Sequence, residues 1–201
     1  MKKQTVTALL TMFPLLSASM ALAAAVDVVG RVEGTIKGIS KRTATVIYVE
    51  DAPGTITPGT RYVLDQKDKT FSPFVLPVPV GAEVVFVNSD PIMHNVHSYN
   101  GKDTIFNWGM AIQGMELKKT FEEPGDVLLL CDVHPEMEAW VKVVPTPYYT
   151  MADENGNFVL EGVPAGEYTV TAWHPRAKKP QSVTVSIPAN GVAKVDFKLK
   201  K

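Results

Sequence analysis

The sequence has little of what most catalytic and cross-linked proteins depend on. It has one cysteine, Cys131, so no disulfide can form within the chain. Its four histidines are too few for a histidine-rich multinuclear centre. Neither sign of charge is in excess: 20 Lys and Arg stand against 21 Asp and Glu, a formal charge of -1, which argues against nucleic acid as a partner. No stretch of a dozen residues sustains the helical period, and β-branched runs of strand length alternate with Pro- and Gly-rich turns, so the class is all-β. Beyond the opening segment no run has the length and purity of a transmembrane helix.

That opening segment reads as a secretory signal peptide. Lys2 and Lys3 precede an apolar run from Val6 to Leu22, broken by Pro14, and Ala21-Leu22-Ala23 supplies small residues at the cleavage positions. The run is too short and too interrupted for a membrane anchor. Residues 1–23 are therefore expected to be removed, with the cut after Ala23 or Ala25. With Lys2 and Lys3 gone, 18 basic residues face 21 acidic ones, a formal charge of -3. The remaining chain is expected to be free in the periplasm, without a membrane span. A lone thiol in that oxidising space is open to oxidation or intermolecular pairing unless it is buried or bound.

Strands are expected at 28–34 and 43–50, then a long Pro/Gly-rich loop at 51–59. Phe71 to Val80 alternates apolar residues with prolines, which suits an edge strand. Glu83–Asn88 is a strand directed to the core, Ser89-Asp90-Pro91 a turn, and residues 101–114 a mixed segment. Strands at 127–130 and 139–144 flank the cysteine loop. After a linker at 145–147, further strands are expected at 157–160, 168–173, 182–187 and 192–199.

The chemistry is concentrated in Leu128-Leu-Leu-Cys-Asp-Val-His-Pro-Glu-Met137. An apolar strand delivers Cys131, and His134 and Met137 follow at intervals of three. A thiolate, an imidazole and a thioether on so short a loop form a soft donor set, which favours copper over magnesium, calcium or manganese. Zinc accepts the first two donors but gains little from a methionine. One more imidazole, which His94 can supply, completes a His₂Cys set with a weak axial Met, the blue-copper electron-transfer arrangement. One cysteine and four histidines rule out both a copper pair bridged by two cysteines and a trinuclear oxidase centre. Cys131 and His134 as nucleophile and base have no accompanying hydrolase or transferase frame, so no enzyme is expected.

Gly81-Ala-Glu-Val-Val-Phe-Val-Asn88 with His94-Asn95-Val96, followed by Cys131-x-x-His134-Pro135-x-Met137, resembles the cupredoxins, blue copper proteins of the amicyanin and plastocyanin type. The resemblance implies a Greek-key β-sandwich holding one mononuclear type 1 copper on His94, Cys131, His134 and Met137. It places Asn95, Asp132, Val133 and Pro135 around the ligands, with the Asn95 side chain tying the two ligand loops together near Asp132. Val133 stands where such loops commonly carry proline, and its retained N–H, if aimed at the Cys131 sulfur, would favour Cu(I). His134 and the neighbouring Glu136 would face the partner, a redox protein such as a periplasmic dehydrogenase or cytochrome. The implied function is carriage of single electrons; the alternative is a copper-binding module for storage, delivery or structure.

A second resemblance lies in Asp153-x-Asn-Gly-x-Phe158 and Val163-Pro-x-Gly166-x-Tyr168, which are similar to the carboxypeptidase regulatory-like, or transthyretin-like, sandwich. Gly30-Arg-Val32 and Ala44-Thr-Val-Ile-Tyr48 fit that module's first two strands. The expected organisation is discontinuous: residues 27–52 begin the sandwich, 58–146 form an inserted cupredoxin domain, and 148–201 complete the sandwich. The competing organisation assigns 27–70 to the cupredoxin.

Four further groups receive modest roles. His97 lies on the opposite face of its strand from His94 and reads as a surface residue. His174 reads as structural. Met93, Met110 and Met115 read as gap-filling or a contact patch rather than a second soft metal site. Lys194, Lys198, Lys200 and Lys201 read as a solvated end.

Overall fold

The computed structural model describes residues 29–57 and 60–201. The expected signal peptide lies outside these residues. The described residues are all-β, with one short 3-10 turn, Arg42–Ala44. Among them no helix is long and apolar enough to cross a membrane.

The chain begins with β1 (Val29–Lys37) and β2 (Val46–Val49). Nine strands follow: β3 (Tyr62–Lys67), β4 (Thr70–Ser72), β5 (Val75–Pro79), β6 (Glu83–Asn88), β7 (His94–Asn100), β8 (Asp103–Met110), β9 (Glu116–Thr120), β10 (Gly125–Leu130) and β11 (Glu138–Val144). The last six are β12 (Tyr149–Met151), β13 (Asn157–Pro164), β14 (Gly166–Trp173), β15 (Gln181–Ile187), β16 (Val192–Lys194) and β17 (Phe197–Lys198).

Strands β3 to β11 form two facing sheets, ordered β4-β3-β6-β9 and β5-β11-β10-β7-β8. Between them lies a core that includes Leu64, Phe86, Val96, Leu129 and Val141, all inaccessible to solvent. We call this the metal-bearing unit. The other two sheets, β12-β2-β14-β15 and β13-β1-β16 with β17 on β1, use only strands from the two ends of the described chain. They enclose a second core that includes Val32, Ile47, Val163 and Val170. In this flanking unit β1 runs antiparallel to β13 and parallel to β16 and β17, so strands far apart in sequence complete one sheet.

β2 explains why residues 46–49 do not alternate. All four are buried, because Ile47 and Val49 enter the flanking core while Val46 and Tyr48 face the junction with the other unit. A strand covered on both faces reads as a continuous apolar run. At the junction Trp140 and Trp173 meet edge to face at 6.0 Å. Lys142 is buried there, with its Nζ 2.6 Å from Asp126 Oδ1 and over the rings of Tyr48 and Trp173. Trp173 Nε1 donates to the other oxygen of Asp126 at 2.8 Å. A buried ammonium is tolerated when it is paired and hydrogen-bonded, and here one carboxylate and two aromatic faces replace its water.

Several elements depart from the sequence-based expectation. Residues 43–45 belong to the 3-10 turn and its cap rather than to a strand. Phe71 to Val80 is not one strand: the chain leaves one sheet after β4 and enters the other as β5. β5 is an edge strand parallel to β11, where the missing N–H groups of Pro77 and Pro79 cost least. The mixed segment at 101–114 contains β8, an outer strand that turns Phe106, Trp108 and Met110 toward the core. The final strand is broken into β16 and β17. Between them the Asp196 carboxylate accepts hydrogen bonds from the N–H and hydroxyl of Thr35, taking the place of a backbone acceptor. Beside this break a Cβ at Gly34 would collide with the Val195 carbonyl, so glycine is required for the close approach.

Candidate metal centre

Three side chains from two loops converge at one end of the metal-bearing unit. β7 begins with His94, which is inaccessible to solvent, and β10 ends one residue before the buried Cys131. The loop after Cys131 folds back through a hydrogen bond from the Met137 N–H to the His134 carbonyl at 3.0 Å. Cys131 Sγ lies 4.0 Å from His94 Nδ1 and 3.9 Å from His134 Nδ1, and the two nitrogens are 3.0 Å apart. Such a triangle has the size expected of two imidazoles and a thiolate sharing one ion at bond lengths of roughly 2.0–2.3 Å. Met137 is buried in the same apolar cluster as Cys131. His134 is the one of the three triangle donors that retains partial exposure.

The orientation of His94 comes from a residue that sequence reasoning treated only as part of a turn. Asp90 Oδ2 lies 2.7 Å from His94 Nε2. That carboxylate takes the Nε2–H and leaves Nδ1 with a free lone pair facing Cys131, the arrangement by which a carboxylate fixes the tautomer of a ligating histidine. Asp90 is itself clamped, accepting from the N–H groups of Asp68 and Lys69 at 2.8 and 3.0 Å at the tip of the β3–β4 hairpin. Asp68 and Lys69 both have positive φ, which turns their N–H groups toward one acceptor. Burial pushes the Asp90 carboxyl upward, but the Lys69 and Asp68 N–H groups and the His94 ring outweigh it and hold the group below the usual range. Asn88 braces the same turn, donating to the Ile92 and Met110 carbonyls and accepting from the Asp90 N–H. The one available signal was an acidic residue four positions before the histidine.

The two ligand loops are tied through Asp132. Asn95 Oδ1 accepts from the Asp132 N–H at 2.7 Å, and Asn95 Nδ2 donates to Asp132 Oδ2 at 2.9 Å. Asn107 donates to the same oxygen, and His97 Nδ1 lies 3.0 Å from the other. Asn95 and His97, two apart on β7, share the face opposite His94, so His97 serves this tie and is not among the converging donors. The His97 and Asn107 bonds hold the Asp132 carboxyl below its ordinary value.

Other singled-out residues fall elsewhere. Val133 is 43% exposed, and among the described residues its N–H makes no hydrogen bond to the Cys131 sulfur; the loop is oriented by the Asp132–Asn95 pair instead. Pro135 and Glu136 are exposed on the loop. Met110 is buried with its sulfur 2.8 Å from Gln66 Nε2, while Met93 is 51% exposed, so these thioethers occupy different environments. His174 is buried in the flanking unit, with Nδ1 accepting from the Arg176 N–H and Nε2 facing the Lys41 carbonyl. That places it as a brace between the 3-10 turn and the β14–β15 connection.

The described chain is thus an all-β protein with a His-Cys-His group able to hold a metal ion. Comparison with known proteins adds two likenesses. Residues 135–200 match the family model of the carboxypeptidase regulatory-like domain. Among solved structures, the chain is similar to a purple cupredoxin from Nitrosopumilus maritimus, with 27% identity over 41% of this chain and 98% of that one and a TM-score of 0.37. It is also similar to the amicyanin of Paracoccus versutus (23% identity, 48% of this chain, 96% of that chain, TM-score 0.38). A copper-containing nitrite reductase from Thermus scotoductus matches at 21% identity over 55% of this chain and 28% of its own length, with a TM-score of 0.39. No curated protein matches the chain.

Proposed function

We propose that this protein is a periplasmic blue copper protein, with one mononuclear copper held by His94, Cys131, His134 and Met137, that carries single electrons between redox proteins. The observation that carries the reading is the triangle of His94 Nδ1, Cys131 Sγ and His134 Nδ1, with the Met137 side chain buried in the same cluster. One thiolate, two imidazoles and a thioether form the soft donor set that suits copper. Held by these four residues, copper would supply a one-electron Cu(II)/Cu(I) couple.

The protein's own residues keep the donors still. Asp90 fixes the His94 ring from the hairpin tip, and Asn95 locks the His94 strand to the residue after Cys131. A site held from outside in this way changes charge with little rearrangement. His134 reaches the surface, and apolar residues stand next to both histidines in sequence: Ile92 is 39% exposed, Met93 51% and Val133 43%. We read these residues as the surface through which a partner would contact His134, with exposed Glu136 adding a charge beside it. The amino-terminal signal segment and the burial of the one thiol support a periplasmic setting. We also read the flanking unit as a discontinuous carboxypeptidase regulatory-like sandwich, with the metal-bearing unit inserted between its second and third strands; its support is the exclusive pairing of β1 and β2 with β12 to β17.

The test is the visible spectrum and midpoint potential of the copper-loaded mature chain. An intense thiolate-to-copper band with reversible one-electron cycling is the expected result. A colourless, redox-silent complex would assign the site to copper storage or delivery.

A further inference from the structure

The flanking unit carries a charge concentration that its sequence position disguises. Two grooves adjoin on its surface. One, of about 430 Å³, is lined by Lys178, Lys179, Lys198 and Lys200 with Pro180 among them. The other, of about 400 Å³, is lined by Lys41, Arg176 and Lys201 around Phe74 and the buried His174. No Asp or Glu lines either groove, although acidic residues outnumber basic ones in the chain as a whole. Among the described residues, the one ion pair made by any of these seven cations is Arg176 with Glu138, at 3.2 Å.

The backbone beneath the cations is held in place. The Lys178 N–H donates to the Lys200 carbonyl at 2.9 Å, and the Lys198 N–H donates to Gln181 Oε1 at 2.7 Å. His174, braced against Lys41 and Arg176, fixes the second groove to the first through the β14–β15 connection. These lysines are exposed, as a solvated end should be, and they also rim concave surfaces on a bonded scaffold. Like charges gathered in a cleft, all but Arg176 without an ion pair here, focus the local field and attract an opposite charge.

We infer that these paired grooves bind an acidic segment of a partner protein. Concavity favours an extended chain, whose carboxylates reach cations on both rims, over the flat plane of an anionic membrane. Position gives the contact a use. Arg176, which lines the second groove, is bonded to Glu138, the residue directly after Met137, so that groove is tied to the end of the ligand loop. On the electron-carrier reading above, the flanking unit would hold the partner while the surface near His134 meets its redox group.

The experiment measures binding of a fluorescent oligo-glutamate peptide to the mature chain in metal-free and copper-loaded forms, so that it succeeds or fails independently of the copper reading. Charge reversal in the groove, Lys178→Glu with Lys198→Glu, is expected to weaken binding by about tenfold or more. The matched reversal elsewhere, Lys67→Glu with Lys102→Glu, is expected to change it by less than about threefold, because exposed charges beyond the Debye length are screened. Lys178→Gln with Lys198→Gln should fall between the two, and thermal melts identify any variant that fails to fold. Equal losses for the groove and distal reversals would overturn the inference in favour of nonspecific attraction. Displacement of the peptide by phosphatidylglycerol vesicles, but not by phosphatidylcholine vesicles, would overturn it in favour of a lipid surface.

Discussion

The two units of this molecule use buried polar groups in opposite ways. In the metal-bearing unit Gln66, Asn88, Asp90, His94, Asn95 and Ser98 are all buried, and Asn88, Asp90 and Asn95 bond directly around the first ligand loop. In the flanking unit the buried polar groups, Thr45, Thr171 and His174, are fewer, and lysines stand on the rim of a groove. A buried polar group costs stability unless its partners are in place, and a completed network then admits one geometry. The first unit spends that constraint on aiming one imidazole; the second needs only a stable platform. Their meeting point, Lys142 between Tyr48, Trp173 and Asp126, is among the described residues the one place where a buried charge links the two.

Four measurements would break or sharpen this contrast. The largest effect is expected from Cys131→Ser, which should abolish the visible copper band while leaving the melting of the flanking unit unchanged; loss of both would mean that the units do not behave separately. Next, Trp173→Ala removes the junction aromatic, and truncating such a side chain costs about 3–5 kcal/mol. Calorimetry should then show the unfolding transitions of the two units drawn further apart than in the wild type. Third, Asp90→Asn keeps the shape but removes the charge that holds His94, and copper affinity in a chelator competition should fall about 10–100-fold. An unchanged affinity would show that the hairpin clamp positions the backbone alone.

The smallest effect concerns pH and belongs to the flanking unit. Burial lowers the pKa of His174, opposed by the Lys41 carbonyl. The unfolded chain therefore takes up a proton below about pH 6.5 that the folded chain resists. Stability is full above that pH and declines as pH drops toward the lower folded-state value. Urea unfolding followed between pH 7.5 and 5 should show this slope in the wild type and a shallower one in His174→Gln. The metal-bearing unit's hairpin, by contrast, depends on an Asp90 carboxyl that stays ionised throughout this range.

Much of the first unit was legible because its signals are local. Glu83–Asn88 forms β6 over the residues expected, and three of the four proposed ligands sit within seven positions. β8 was missed although Phe106, Trp108 and Met110 alternate, since its outward residues Asp103 to Ile105 and Asn107 are exposed and dilute the pattern. The edge strand β9, Glu-Leu-Lys-Lys-Thr, was missed for a related reason: charges that protect a sheet edge from unwanted pairing also mask its strand character. The lysines near residue 200 are exposed, as the solvated-end reading expects, but alternation along one strand says nothing about Lys178 and Lys179, which line the same groove.

By itself the sequence determined the all-β class, the soft donor set and the order in which the donors arrive, because strand period and ligand spacing are properties of neighbouring residues. Only the tertiary structure decided that β1 is completed by β13, β16 and β17, that Lys142 is buried between two units, and that the His94 ring is aimed by Asp90 through the backbone of residues 68 and 69. Each of these pairs groups that are distant in the chain and become partners when burial removes water as the alternative.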